Sequence, residues 1–195
     1  MKNKFILFVA LIGLAVLFSS CAKLPQEKIN AVTAAIDSVK TVGGDVYVPE
    51  VYKALTDSLA SVNAAVETEK SKWFPTYKKV NVSLDVVSTM ATDALAKTEA
   101  KKAELKAEND TLVADVKALV ETNKGLLKKA PRGKEGREAL EAITNDLSLV
   151  ETTVTEVETL ITSGDILGAN NKIKAAKEKA DSIKVELETA IAKVK

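Results

Sequence analysis

From residue 25 onward the chain repeats one device: apolar side chains three and four residues apart, set among lysine, glutamate, threonine and alanine. Ile29, Val32, Ile36 and Val39 form a first set, and Val51, Leu55, Leu59, Val62 and Val66 a second. Leu140, Ile143, Leu147, Val150, Val154, Val157 and Ile161 form a third, and Ile173, Ala176, Ala180, Ile183, Leu187, Ala190 and Val194 a fourth. Such spacing puts each set on one face of an α-helix, and the last two alternate three and four without a slip, the period of a coiled coil. Pro25, Pro49, Pro75 and Pro131 each stand just before an amphipathic run. Proline fits the first turn of a helix, where its missing N–H would have no partner anyway. Asp165, after Gly164, is an N-cap signal for one more. The pattern predicts five helices, over about 25–42, 49–72, 75–128, 134–162 and 166–194.

The segment 75–128 is unusually long, with Gly125 near its end as its single glycine. Leu84, Ala91, Thr98, Leu105, Leu112, Leu119 and Leu126 share one seven-residue series, and Asn109, Val116 and Asn123 occupy the partner series in its second half. This reads either as a self-paired zipper, a homo-oligomer through residues 105–127, or as the spine of an internal bundle. Val113, Val120 and Leu127 widen the stripe beyond a two-stranded seam and favour the bundle. At ~1.5 Å per residue the long helix spans roughly 80 Å, and 49–72 with 134–162 together nearly match it. The expected fold is all-α: an elongated antiparallel helical bundle of two three-helix segments, 25–102 and 103–195, sharing helix 75–128. That architecture is similar to tandem spectrin repeats, a likeness of form and not of function.

The first residues follow another logic. Lys2 and Lys4 precede an apolar run over 5–18, and Ser19 and Ser20 lead to Cys21, the one cysteine of the chain. A basic start, an apolar core and small residues at the cut are the order of a secretory signal peptide, 1–20. The run is short for a membrane span, which needs about 20 residues. Phe18-Ser19-Ser20-Cys21 resembles the lipobox of bacterial lipoproteins, with Phe18 where that family usually has leucine. The resemblance implies cleavage before Cys21, acylation of its thiol and a lipidated linker over 21–24. Ala22, in place of the aspartate that retains such proteins at the inner membrane, implies the outer membrane, facing the periplasm. "YKALTDSLASVNAAVE" and "REALEAITNDLSLVETTV" are matching amphipathic stretches. With the lipidated start they resemble the alanine-rich domain of unknown function found in bacterial lipoproteins, sometimes ahead of OmpA-type wall-binding domains. The resemblance is best over about 25–105 and implies no active site.

Composition narrows the chemistry. Removing 1–20 takes away two lysines and no acid, so the formal charge moves from +1 to −1. A nucleic-acid binder would carry a marked basic excess. There is no histidine, hence neither the usual general base nor the commonest metal ligand. A lone cysteine forms no intrachain disulfide. Gly133-Lys134 lacks the serine or threonine and the preceding strand of a phosphate loop. Glu135, Glu138 and Glu141 suit the positive start of a helix better than a metal face. No catalytic, metal or cofactor site is expected, and no enzyme.

The ends of the helices carry the remaining candidates. Trp73, Phe74 and Tyr77 lie in "SKWFPTYKK" with Lys78 and Lys79. Aromatics of this kind favour the headgroup region of a bilayer and lysines favour anionic lipid, so this turn is a membrane-interface candidate; plugging the end of a bundle is the competing use. The other end carries Lys128, Lys129, Arg132, Lys134 and Arg137, with Lys195 expected beside them, a candidate distal basic contact for peptidoglycan or an envelope protein. The small murein lipoprotein, joined to peptidoglycan by its terminal lysine, is similar in having a lipid at one end and a lysine at the other. The expected function is a non-enzymatic, lipid-anchored periplasmic spacer or scaffold between outer membrane and cell wall or a protein partner. The alternative is a periplasmic carrier or chaperone using a groove between helices.

Overall fold

The structure, a computed structural model, describes residues 23–131 and 136–193. The expected signal peptide over 1–20, Cys21, Arg132, Lys134 and Lys195 lie outside the described residues. The described chain is all-α: α1 Gln26–Thr41, α2 Gly44–Tyr47, α3 Pro49–Lys70, α4 Lys78–Lys129, α5 Gly136–Ser163 and α6 Ile166–Ala192. The five long helices stand where the apolar spacing places them, with ends shifted by at most three residues, and the one-turn α2 is additional. Packing divides the chain into two compact units, residues 1–101 and 102–195, and α4 contributes to both.

In the first unit, Val32, Ile36 and Val39 of α1 meet Leu55, Val62 and Val66 of α3 and Val80, Leu84, Val87, Ala91 and Ala94 of α4. The α4 set steps by four and three, the period that keeps one stripe facing inward. Thr98 continues that stripe and is fully buried; its hydroxyl donates to Ala94 O at 2.7 Å, so the polar atom is paired inside its own helix. Gly43, at φ +87°, reverses the chain after α1, with its N–H on Lys40 O. Gly44 then packs so closely that a Cβ would lie 2.4 Å from Val39 Cγ1 and 3.3 Å from Thr98 Oγ1. Lys28 Nζ reaches Asp85 Oδ1 at 2.8 Å. With Lys28 beside Asp85 and Gly44 beside Thr98, α1 runs alongside the start of α4, and α3 returns in the opposite direction to share their core.

Pro49 opens α3 at its first position. Pro75 does not open α4. Its ring disfavours helical backbone at Phe74, and Thr76 N donates to Glu69 Oε2 at 3.2 Å instead of starting a helix. The first helical bond runs from Asn81 N to Tyr77 O at 2.8 Å.

In the second unit, Val113, Val116 and Val120 of α4 face Val150, Val154 and Val157 of α5 and Ala169, Ile173, Ala176 and Ala180 of α6. A further cluster joins Ile143 and Leu147 to Ile183, Leu187 and Ala130. Gly164, at φ +90°, ends α5: its N–H binds Ile161 O and Asp165 N binds Leu160 O, a Schellman closure. Asp165 then caps α6 by accepting from Gly168 N at 2.9 Å, as the sequence signal predicts.

The heptad leucines do not hold the centre of α4 throughout. Leu105 is buried, but Leu112, Leu119 and Leu126 are only partly so, and the buried line runs 105, 109, 113, 116, 120, 123. Two successive steps of four, from 105 to 113, rotate the inward stripe by one position, a stutter in the heptad. The extra valines of the wide stripe thereby become the seam.

Candidate functional site

Cys21 lies outside the described residues, but the chain just after it is placed. Leu24 is half-buried and packs on the first core. Two residues, Ala22 and Lys23, therefore separate Cys21 from a packed side chain, and the three backbone steps between Cys21 and Leu24 can span at most about 11 Å. The start of α1 lies against the end of α3: Gln26 and Ile29 share a shallow groove with Asn63, Ala64, Val66, Glu67 and Lys70. Hence the chain enters the first unit at the end that carries the α3–α4 turn.

That turn sorts its aromatics. Trp73 and Phe74 are 90% and 83% exposed, whereas Tyr77 is 4% exposed and belongs to the core. Tyr77 is thus corrected from the membrane-interface set: it fills the end of the bundle, where a large side chain is needed to cover the apolar seam. Trp73 and Phe74 are left without that task. Lys78 and Lys79 are exposed on the first turn of α4. Glu69, which sequence reasoning missed, organises the loop. It accepts from Lys72 Nζ at 2.6 Å and from Thr76 N at 3.2 Å. Those two hydrogen bonds, Lys72 foremost, hold its carboxyl below the ordinary carboxylate value. The i,i+3 spacing of Glu69 and Lys72 was visible in the sequence; the reach to Thr76 depends on the loop path and was not.

At one end of the second unit, Lys128 and Lys129 are the exposed last residues of α4, and Arg137 lies exposed in the first turn of α5. Arg137, Leu127, Leu140, Glu141 and Thr144 line an open groove of about 510 Å³. Ile191, near the end of α6, packs against the same buried cluster as Leu126 and Leu127, so α6 finishes at this same end. A second groove, of about 360 Å³, runs between α4 and α5 over Val120 and Val154. Charges rim it: Lys117 pairs with Glu158 at 2.6 Å, and Lys124 with Glu151 at 2.6 Å and Glu121 at 2.9 Å. The Glu151 and Glu121 bonds raise the Lys124 pKa. Among the described residues no group of three or more histidine, cysteine, aspartate or glutamate side chains is placed to hold a metal. No described helix is long and apolar enough to cross a membrane.

Comparison with protein-family models, curated proteins and solved structures finds no match.

Proposed function

We propose that the chain is a non-enzymatic lipoprotein, acylated at Cys21 and held at the outer membrane on its periplasmic side, that acts as a structural spacer or scaffold toward the cell wall or a protein partner. The observation that carries this reading is the short tether. Leu24 is packed on the first core only three residues after the cysteine, so an anchor there would hold a folded unit and not a loose tail. Closed seams of valine, isoleucine, leucine and alanine support a scaffold. A carrier would need a concave, largely apolar pocket, and the grooves between α4 and α5 are open and rimmed by charge.

Replacing Cys21→Ser tests the anchor. The wild-type protein is expected to take up labelled fatty acid and sediment with outer membranes, and the serine variant to remain unlabelled and uncleaved. A serine variant that is processed normally and released would overturn the anchor. A photocrosslinking residue at Lys129 tests the spacer and should capture cell-wall material or one defined envelope protein. Capture of lipid there would overturn that role.

A further inference from the structure

We propose that the α3–α4 turn is a second, non-covalent membrane contact, in which Trp73 and Phe74 enter the headgroup layer of the bilayer that holds the acyl chain of Cys21. The inference rests on the lipoprotein reading and adds to it a surface, a ligand and an orientation for the first unit.

Four observations carry it. Trp73 and Phe74 are the most exposed large apolar side chains among the described residues, and they are adjacent. Tyr77 already fills the end of the core, so packing does not account for them. The stretch from residue 70 to 80 holds Lys70, Lys72, Lys78 and Lys79; Glu67 pairs with Lys70 and Glu69 with Lys72, so Lys78 and Lys79 are the charges offered to lipid. Tryptophan with lysine suits an anionic lipid surface, the indole lying at headgroup depth and the ammonium groups meeting phosphate. Finally, the turn is at the end of the unit where the chain arrives from Cys21: Gln26 and Ile29 face Val66, Glu67 and Lys70, and Leu24 is packed. An acyl chain on Cys21 brings this end of the unit to the bilayer.

The turn is also presented in a fixed form. Pro75 limits the backbone at Phe74, and Glu69 ties Lys72 and Thr76 together. Little conformational freedom remains to be lost on contact, which favours binding. Two anchors also act together: once the acyl chain is inserted, the turn is at high effective concentration over the lipid.

Trp73 is the single tryptophan of the chain, so its fluorescence reports this turn alone. The acylated protein is purified from cells, its lipid confirmed by mass, and reconstituted into vesicles of neutral or mixed neutral and anionic phospholipid. In anionic vesicles Trp73 emission is expected to shift to the blue. Lipids brominated near the headgroup should quench it, and the acrylamide quenching constant should fall several-fold below that of a free tryptophan amide. The combined Lys78→Glu and Lys79→Glu variant should float with the vesicles but lose most of the protection from acrylamide. An acylated protein that floats while Trp73 stays fully open to acrylamide and silent to brominated lipid overturns the contact and leaves the anchor standing. Protection from acrylamide without bromine quenching also overturns it, because protein and not lipid would then cover the turn. A mass without acyl chains overturns the anchor and the contact together, and is read before any fluorescence is recorded.

Discussion

Asn109, Asn123 and Asn170 are buried in a seam otherwise made of valine, isoleucine and alanine. A buried amide is costly unless its donors and acceptors are paired. Asn109 Nδ2 donates to Ile166 O at 2.9 Å, and its Oδ1 accepts from Asn170 Nδ2 at 2.8 Å. Asn123 Nδ2 donates to Ala180 O at 2.8 Å, while its Oδ1 finds no protein partner. Both asparagines of α4 reach α6 at the same offset of 57 residues, two heptads apart, so together they fix how far α6 slides along α4. The two sites differ in what a truncation leaves behind. Asn109→Ala strands a buried Asn170 amide and should cost about 1–3 kcal/mol for the unpaired group, beyond the lost volume. Asn123→Ala removes an unpaired acceptor together with its donor and should cost clearly less. Urea unfolding of both variants and of the Asn109→Ala, Asn170→Ala pair checks this; the pair should lose less than the sum of its single changes, because neither amide is then left alone.

At the scale of elements, glycines separate backbone conformation from space. Gly164 sits at φ +90° with open space where a Cβ would go, so Gly164→Ala meets only the left-handed backbone and should cost about 1–2 kcal/mol. Gly125 lies inside α4, also with nothing within 4 Å of an added Cβ. Gly125→Ala should therefore stabilise the protein by about 0.5–1 kcal/mol through helix propensity. Thermal midpoints moving in opposite directions would confirm both; equal shifts would refute the distinction. The helices themselves were legible because three-and-four spacing, Pro49 and Asp165 are local signals. Three features were not. The one-turn α2 has no room for periodicity, and Gly44 is required there by Val39 and Thr98, which only the fold brings together. The shift of the α4 seam from leucines to valines depends on where α5 and α6 pack. The division of labour at the α3–α4 turn, Tyr77 inward with Trp73 and Phe74 outward, follows from the loop path set by Pro75 and Glu69, and the sequence offered all three aromatics alike.

The whole molecule has few means of sensing pH. It contains no histidine, the side chain that ordinarily changes charge between pH 5 and 8. The groups with resolved shifts lie toward the extremes. Glu69 is held below its ordinary value of 4.5 by Lys72 and the Thr76 amide. Its contribution is therefore present above that value and is lost as pH falls through the lower folded pKa. Lys53, bonded to Asp57, and Lys124, bonded to Glu151 and Glu121, are raised above 10.5. Their contribution is present below that value and is lost as pH rises through the higher folded pKa. Six ion pairs between helices among the described residues, Lys28–Asp85, Lys117–Glu158, Lys124–Glu151, Lys172–Glu156, Lys174–Glu108 and Lys179–Asp146, are solvent-exposed. Each pair of that kind contributes roughly 0–1 kcal/mol, and none should dominate. The thermal midpoint, followed by circular dichroism at constant ionic strength, is therefore expected to be level from about pH 6 to about pH 9 and to fall on either side. Glu69→Gln should flatten part of the acid decline, and the fluorescence of Trp73 should report the loosening of its turn at the same low pH. A midpoint that slopes through neutrality would contradict this account and point to a titrating switch. A level one is what the absence of histidine and the shifts of Glu69, Lys53 and Lys124 require.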